Sequence, residues 1–390
     1  MQELLILLLP VAAASGWWAA RRSMQKEKER LAASEMDSEY YRGLNYLINE
    51  QPDKAIDVFV RMLEVNSETV EMHLALGGLF RRRGEVDRAI RIHQNLIARQ
   101  TLSADQRARA LLALASDYMS AGLLDRAEGL FEELVENRKL LKPALTNLKL
   151  IYQHEKDWSK SLEVSRRLEK LDDREQGRDQ AHFLCELAEA SLAGGDTTAA
   201  SKLLGQAIKA DPGAFRPLLI QARIATDEER FDDAIALYKK IADAHPAFIG
   251  EFLEPMHAIF TRSDRQEDWF DWLREIYDRK KNLSVLLQIT SEIAERDGFA
   301  TATDYLTSEL SDAPRLAGVH RLIRMRMAQK GAQRSEFLEL IEQLLARLLR
   351  EQSAYQCHRC GFTTRTLHWQ CPGCRSWGSM LPRESSNRTS

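Results

Sequence analysis

Residues 84–90 read GEVDRAI and residues 122–128 read GLLDRAE. Each stretch has a glycine suited to a turn, an aspartate where a helix would begin, and an alanine two residues later. A small residue followed four positions later by a mostly bulkier one recurs along the chain, with spacings of 34, 38, 34, 39 and 34 residues. The pairs are Ala55/Phe59, Ala89/His93, Ala127/Phe131, Ser161/Ser165, Ala200/Leu204 and Ala234/Tyr238. A repeat of this length predicts stacked helix pairs.

A second pattern precedes each of these small residues by twelve and nine positions. The earlier position is mostly small and the later one is aromatic in the first four units, as in Gly43 with Tyr46 and Gly77 with Phe80. This arrangement resembles the tetratricopeptide repeat. Small residues let the two helices of a unit approach closely, and an amphipathic pair that cannot bury its apolar face alone must stack on its neighbours. We therefore predict an all-α tetratricopeptide-repeat solenoid with six repeats over residues 36–247.

The period fades over residues 248–350, but helical apolar spacing continues. We predict six more helices there, about three degenerate repeats. They cover the sequences EFLEPMHAIF, DWFDWLREIY, LSVLLQITSEIA, FATATDYLTSEL, RLAGVHRLIRMRMA and FLELIEQLLARLL. Pro255 is expected to kink the first of them or to lie in its first turn.

Composition agrees with a helical body. Only 19 of 390 residues are glycine and 10 are proline, too few for the frequent turns of a sandwich or barrel. The formal net charge is −3, and this near-neutral balance argues against a dedicated nucleic-acid-binding protein. No nucleic-acid partner is therefore expected.

Four of the five cysteines lie in the stretch CHRCGFTTRTLHWQCPGC at residues 357–374. Two Cys-x2-Cys turns on opposing hairpins would present four thiolates to one tetrahedral metal ion, through Cys357, Cys360, Cys371 and Cys374. The stretch is similar to the knuckles of rubredoxin and of zinc ribbons, and it predicts a small metal-binding domain over residues 351–381. Thiolate coordination accepts zinc or iron, and we favour zinc because of its availability and the short central spacer.

Other residues of this tail are assigned supporting roles. Gly361 and Gly373 are predicted to allow the backbone angles of the two knuckles. Phe362, Trp369 and Trp377 are expected to form the small apolar core of the domain. Because four cysteines already complete the coordination, the site is predicted to be structural and not hydrolytic. Residues 382–390 are polar, and a disordered tail is expected.

The N-terminus carries an uncharged apolar run from Leu4 to Ala20. Seventeen helical residues span about 26 Å, and counting from Met1 brings the length to that of a hydrocarbon core. We predict a single-pass membrane anchor over residues 1–20, then a charged juxtamembrane spacer over 21–35. The basic residues that follow the run place the N-terminus outside and the body in the cytoplasm. The anchor side chains are Leu4, Leu5, Ile6, Leu7, Leu8, Leu9, Trp17 and Trp18.

Alternatives to this anchor are a cleaved secretory signal and a buried helix of a soluble protein. A signal peptide would carry its positive charge before the apolar run, whereas here Arg21 and Arg22 come after it. No phosphate-binding glycine loop, zinc-protease helix or nucleophile elbow occurs in the sequence, so catalysis is not expected. Cys185 and His93 are interpreted as core residues.

The order of apolar run, repeat body and cysteine knuckles resembles the lipopolysaccharide assembly protein B family. The resemblance is also carried by ELLILLLPVAAASGWWAARRS at 3–23 and LFRRRGEVDRAIRIHQ at 79–94, and it covers nearly the full length. It implies a non-enzymatic inner-membrane adaptor that regulates lipopolysaccharide synthesis, with its N-terminus in the periplasm and its body in the cytoplasm. The implied partners are the membrane AAA+ protease FtsH, the lipid A pathway deacetylase that FtsH degrades, other lipopolysaccharide assembly proteins and a membrane-embedded regulator that contacts the anchor.

Two other functions stay open from the residues alone. One is a membrane-tethered electron carrier with a rubredoxin-type iron centre, and the other is an RNA-binding repeat protein with a zinc ribbon. Self-association of the body as a homodimer is also left open by the sequence.

Overall fold

The computed structural model describes residues 17–18, 21–24, 41–43, 45–46, 49, 51–65, 70–171, 176–328 and 336–383. Among these residues, none of the helices is both long and apolar enough to cross a membrane. The predicted anchor side chains from Leu4 to Leu9 lie outside the described residues, as do most of the spacer and the tail after residue 383.

The chain divides into two compact units, Met1–Lys156 and Asp157–Ser390. The helices described in the first unit are α1 Pro52–Val65, α2 Val70–Arg82, α3 Val86–Ile97, α4 Ala104–Ser120, α5 Leu124–Glu136 and α6 Leu141–Glu155. Local sequence explains their ends. Helix α4, for example, begins with a capping box in which the side chains of Ser103 and Gln106 each bind the other residue's backbone N–H.

The second unit continues with helices of similar length and ends in a small sheet. Its α-helices are α7 Trp158–Leu171, α8 Gly177–Ala193, α9 Thr197–Ala210, α10 Arg216–Asp227, α11 Phe231–Ala244, α12 Leu253–Arg262, α13 Gln266–Lys280, α14 Leu283–Arg296, α15 Phe299–Asp312, α16 Leu316–Ala328 and α17 Glu336–Glu351. A 3-10 helix, Pro246–Glu251, lies between α11 and α12. The six helices predicted over residues 248–350 are α12 to α17, and Pro255 lies in the first turn of α12.

The repeat prediction is confirmed by the packing. All six small residues that define the period are fully buried, at 0% exposure: Ala55, Ala89, Ala127, Ser161, Ala200 and Ala234. The close approach within a repeat is equally clear, because a Cβ added to Gly77 would lie 2.4 Å from the His93 ring. A Cβ on Gly43 would lie 2.7 Å from the Phe59 ring. The small position of one helix thus accommodates the bulky position of the next.

Charged side chains about one repeat apart pair along each unit. Lys139 and Asp105 are 2.6 Å apart in the first unit, and Arg265 and Asp232 are 2.7 Å apart in the second. These side chains are at least one-third exposed, and such pairs contribute only about 0.2–1 kcal/mol each. Burial of the repeat positions therefore dominates the stability of the stack.

The period is weak after residue 247, but the core is continuous there. Trp269 is fully buried and Trp272 is 4% exposed, as predicted for core residues. The indole N–H of Trp269 donates a 2.8 Å hydrogen bond to Glu292, so its polar atom is satisfied inside the core.

A three-stranded antiparallel sheet follows α17, with strand order β2-β1-β3. Its strands are β1 Tyr355–Cys357, β2 Thr363–Thr364 and β3 Met380–Pro382. Tyr355 pairs with Thr364 on one side and with Pro382 on the other. We call residues 355–382 the ribbon.

Candidate metal centre

The two Cys-x2-Cys turns of the ribbon have the same backbone hydrogen bonds. The Cys357 N–H donates to Phe362 O and the Gly361 N–H donates to Cys357 O, at 2.8 and 2.9 Å. In the second turn the Cys371 N–H donates to Ser376 O and the Arg375 N–H donates to Cys371 O, at 2.9 and 2.8 Å. The same knuckle therefore occurs twice in the ribbon, and each copy presents two sulfur atoms.

The four thiols meet as the spacing predicts. All four Sγ atoms lie within 4.8 Å of one another, and the Cys357–Cys374 and Cys360–Cys371 pairs are each 3.7 Å apart. A tetrahedron with 2.3 Å metal–sulfur bonds has an edge of about 3.8 Å. The donor set and its dimensions therefore fit one tetrahedral ion. Because zinc and iron share this geometry, the arrangement does not choose between them.

Local polar groups favour ionised sulfur at Cys357. Burial alone would raise its pKa, but the Ser379 hydroxyl and the backbone N–H groups of Cys360 and Arg359 lower it to about 6. The Ser379 Oγ lies 3.3 Å from Cys357 Sγ. Hydrogen bonding also lowers the pKa of Cys374, where the Ser376 hydroxyl is 3.4 Å from the sulfur. Thiolate is the form that binds metal.

The glycine assignment is correct in one knuckle and wrong in the other. Gly361 has a φ of +78°, a left-handed angle that glycine adopts without strain. The equivalent position of the second knuckle is Arg375, with a φ of +56°. Gly373 is not among the residues with positive φ; a Cβ there would instead lie 3.2 Å from the Cβ of Phe362. Its small size serves close packing between the two knuckles.

The predicted aromatic core of the ribbon is wrong. The buried ribbon core consists of Tyr355, Cys357, Cys371 and Met380, and Phe362 is 39% exposed. Trp377 is buried in the repeats instead, as part of the core around α8. A domain this small has too little interior for three large rings, so the two tryptophans pack against the repeats and Phe362 stays partly exposed.

Trp377 docks the ribbon on α7 and α8. Its ring stacks on His182 at 4.9 Å and meets Trp158 and Phe183 edge-on at 5.7 and 5.8 Å. Burial, with help from Arg216 and Arg178, lowers the pKa of His182 to about 3, so this imidazole is neutral. Gly378 allows the approach, because a Cβ there would lie 3.2 Å from His182 Nε2.

Trp369 forms the second docking contact, through Arg216 at the start of α10. The guanidinium carbon of Arg216 lies 5.2 Å from the Trp369 ring centre, within the range of a cation–π contact. The Arg216 side chain is 3% exposed and pairs with Glu186 and Glu189 at 2.8 and 2.9 Å. Sequence reasoning missed Arg216 and His182, since neither has a spacing that differs from ordinary helix residues.

Two other residues were singled out from the sequence. His93 is fully buried as predicted, and its Nδ1 pairs with the buried carboxylate of Asp117. Arg81 also binds Asp117, at 2.7 Å, so Arg81 and His93 share this buried carboxylate. Cys185 is fully buried, and burial raises its pKa to about 12, as expected for an inert core thiol.

The chemistry of the described residues centres on the four cysteines. They form the one group of three or more metal-binding side chains found in the described part of the chain. Of the predicted anchor residues, Trp17 and Trp18 are described; they are 63% and 60% exposed. The guanidinium carbons of Arg21 and Arg22 lie 4.9 and 5.0 Å from their ring centres.

Comparison with known proteins agrees with this architecture. A family model described as the rubredoxin metal binding domain matches residues 355–382, and one for the tetratricopeptide repeat matches 40–105 and 185–247. The solved structure of MamA covers 44% of this chain at 19% identity, with a TM-score of 0.34, which is too low for a conclusion. The helical repeats and the four-cysteine ribbon thus define a tetratricopeptide-repeat protein with a rubredoxin-like metal-binding domain.

Full-length relatives narrow the class further. Lipopolysaccharide assembly protein B of Escherichia coli K12 is 36% identical over 362 residues, covering 92% of both chains. The protein of that name from Haemophilus influenzae is 33% identical over 371 residues, covering 92% of this chain and 93% of its own. The chain belongs to the lipopolysaccharide assembly protein B family.

Proposed function

We propose that this protein is an adaptor that regulates lipopolysaccharide synthesis by promoting FtsH-dependent proteolysis of the lipid A pathway deacetylase, UDP-3-O-acyl-N-acetylglucosamine deacetylase. The observation that carries the proposal is the match to lipopolysaccharide assembly protein B over 92% of the chain. The family-model matches to the tetratricopeptide repeat and to the rubredoxin metal binding domain add support, because they cover parts of both the repeats and the ribbon.

The chemistry of the described residues supports an adaptor and not an enzyme. Four thiolates would complete the coordination of one ion and leave no position for a reacting water. A bound metal would hold the two knuckles together as a structural clip. Arrays of helical repeats present extended surfaces that hold segments of other proteins. The energy for degradation would therefore come from the ATP-driven protease.

We further propose that the protein lies at the inner membrane, with the apolar run of residues 4–20 as a single-pass anchor and the body on the cytoplasmic side. Support comes from the uncharged sequence and the basic residues that follow it. Anchoring would raise the effective concentration of the repeats near a membrane protease. The same segment would contact a membrane-embedded regulator that reports lipopolysaccharide supply.

The test is the cellular half-life of the deacetylase with this protein present and then depleted. Depletion should lengthen the half-life while the abundance of FtsH stays constant. A chain lacking residues 1–20 should fold but fail to restore rapid turnover, whereas the full chain restores it. An unchanged half-life on depletion would refute the adaptor function. Full rescue by the truncated chain would refute the role of the anchor alone.

A further inference from the structure

Helix α17, the last helix before the ribbon, exposes an apolar stripe. Leu340, Leu344 and Leu348 are 53%, 52% and 50% exposed. They are four residues apart, so they lie on one face of the helix. The helix buries none of its residues within this chain. Its other side contacts α16, where His320 lies 3.0 Å from Glu342.

This stripe differs from the surface of helices α1 to α16. None of α1 to α16 carries, among its described side chains, more than one large apolar side chain that is at least 36% exposed. The terminal unit of a repeat array normally has a polar outer face, because it has no neighbour to cover it. A leucine stripe at this position indicates a surface that is covered in the assembled protein.

The charges of α17 are arranged with opposite signs at its two ends. Glu336 and Glu339 lie in the first turn, and Arg350 lies in the last. Arg347, one turn earlier, is 73% exposed and pairs with Glu351 at 2.9 Å. An antiparallel second copy of this helix would bring the acidic end of each chain to the basic end of the other. A parallel copy would bring like charges together.

We propose that α17 is a self-association surface, on which α17 of a second copy of this chain packs in antiparallel orientation. The two-fold axis passes near Leu344, so that Leu344 meets its own equivalent. Leu340 of each copy then meets Leu348 of the other. In this register Glu336 lies within one turn of Arg350 of the second copy, and Glu339 lies within one turn of both Arg347 and Arg350.

Helix charge and size further define this interaction. Four glutamates against two arginines give α17 a net negative charge, which disfavours an anionic lipid surface as the occupant. Sixteen residues span about 24 Å. One helix pair of this length is small beside the about 800 Å² per partner of a standard interface, so the dimer should be weak and concentration-dependent.

The first test measures the mass of the full-length protein in a nonionic detergent by sedimentation equilibrium over a series of concentrations. A monomer–dimer equilibrium is expected, and Leu344→Glu should weaken it at least about 50-fold, because it places two charges at the apolar centre. Leu171→Glu is the matched control, since Leu171 is 48% exposed on α7 and should leave the equilibrium unchanged. Circular dichroism checks that each variant keeps its helical content.

The second test uses charge reversal to determine orientation. Glu336→Lys with Glu339→Lys should weaken the dimer about tenfold, and so should Arg347→Glu with Arg350→Glu. All four changes in one chain restore opposite charges in an antiparallel pair, so the dissociation constant should return to within about threefold of its original value.

Several results would overturn the proposal. They are a monomer at every concentration, a dimer unaffected by Leu344→Glu, and a fourfold variant that stays as weak as either double variant. Flotation with neutral phosphatidylcholine vesicles provides a further check. If Leu344→Glu abolishes flotation but leaves self-association unchanged, the stripe binds lipid and not a second copy.

Discussion

Arg375 and Gly361 occupy equivalent positions in the two knuckles, with φ angles of +56° and +78°. An L-residue in this left-handed region costs about 1–2 kcal/mol relative to its preferred conformation, whereas glycine adopts it freely. The first knuckle therefore uses the residue type that its backbone requires. The second carries conformational strain at an arginine.

This difference predicts opposite effects of two substitutions. Gly361→Ala should lower the free energy of unfolding of the ribbon by about 1–2 kcal/mol, because alanine is strained there. Arg375→Gly should raise it by about 0.5 kcal/mol, since strain is relieved but the unfolded chain becomes more flexible. Denaturant titrations followed by tryptophan fluorescence measure both. Equal destabilisation by the two changes would contradict the equivalence of the knuckles.

His182 makes the folded protein less stable as the pH falls. Its pKa is about 3 in the folded protein, because burial disfavours the charged ring and Arg216 and Arg178 repel it. An unfolded histidine titrates near 6.5. Above that pH the His182 imidazole is neutral in both the folded and the unfolded chain, so it costs the folded protein no stability. Below it the unfolded chain takes up a proton that the folded chain does not, so stability is lost progressively down to about pH 3.

Between pH 7.5 and 5.5 this effect should cost the second unit about 1.4 kcal/mol. His182→Gln removes the titrating group. Over the same pH interval, the free energy of unfolding of this variant should therefore fall by about 1.4 kcal/mol less than that of the unsubstituted protein. Both proteins keep the same cysteines, and proton competition for the metal site cancels in the comparison. Identical pH dependence in the two proteins would show that His182 does not titrate on unfolding.

At the scale of elements, the ribbon is joined to the repeats by two tryptophans. Trp377 enters the core around α8, and Trp369 lies on Arg216 at the start of α10. The apolar contacts extend through Phe215, whose ring centre is 4.5 Å from that of Phe248. The repeats thus supply the interior that so small a domain lacks.

The docking predicts a large difference between two aromatic substitutions in the ribbon. Trp377→Ala removes a 5% exposed side chain and should destabilise the second unit by about 3–5 kcal/mol. Phe362→Ala is the control, because its 39% exposed ring is outside that core, and it should cost less than about 1 kcal/mol. Urea unfolding measures both, and limited proteolysis after α17 should increase only in the Trp377 variant. Comparable losses would argue against docking through Trp377.

For the whole molecule, metal binding and repeat packing are coupled by this arrangement. Without an ion the two knuckles lose the bond that holds them together, and metal binding to such sites contributes on the order of 10 kcal/mol. Loss of the ion should therefore release Trp369 and Trp377 from the repeats. The function proposed above would be affected even if the repeats contact the partners directly.

Cys371→Ser tests this coupling. Cys371 is fully buried, and its loss leaves three sulfur donors; we expect loss of the bound ion, exposure of both docking tryptophans and failure to restore deacetylase turnover. Cys357→Ser should behave in the same way. Cys185→Ala is the control, because this thiol lies in the repeat core and should leave one ion per chain. Elemental analysis and fluorescence give the readouts, and wild-type turnover by Cys371→Ser would make the metal dispensable.

The sequence by itself determined the helix pairs, their period and the set of four thiols. A helix pair shows its buried face at regular spacing, and a metal knuckle places both sulfurs within four residues, so both signals are local. Tertiary structure decided where Trp369 and Trp377 pack, why Arg216 and His182 matter, and that Arg375 adopts the left-handed backbone angle of Gly361. These depend on contacts between residues more than a hundred positions apart or on backbone angles, which side-chain spacing does not encode. The apolar residues of α17 predicted a helix, but only the fold showed that part of its apolar face is left uncovered.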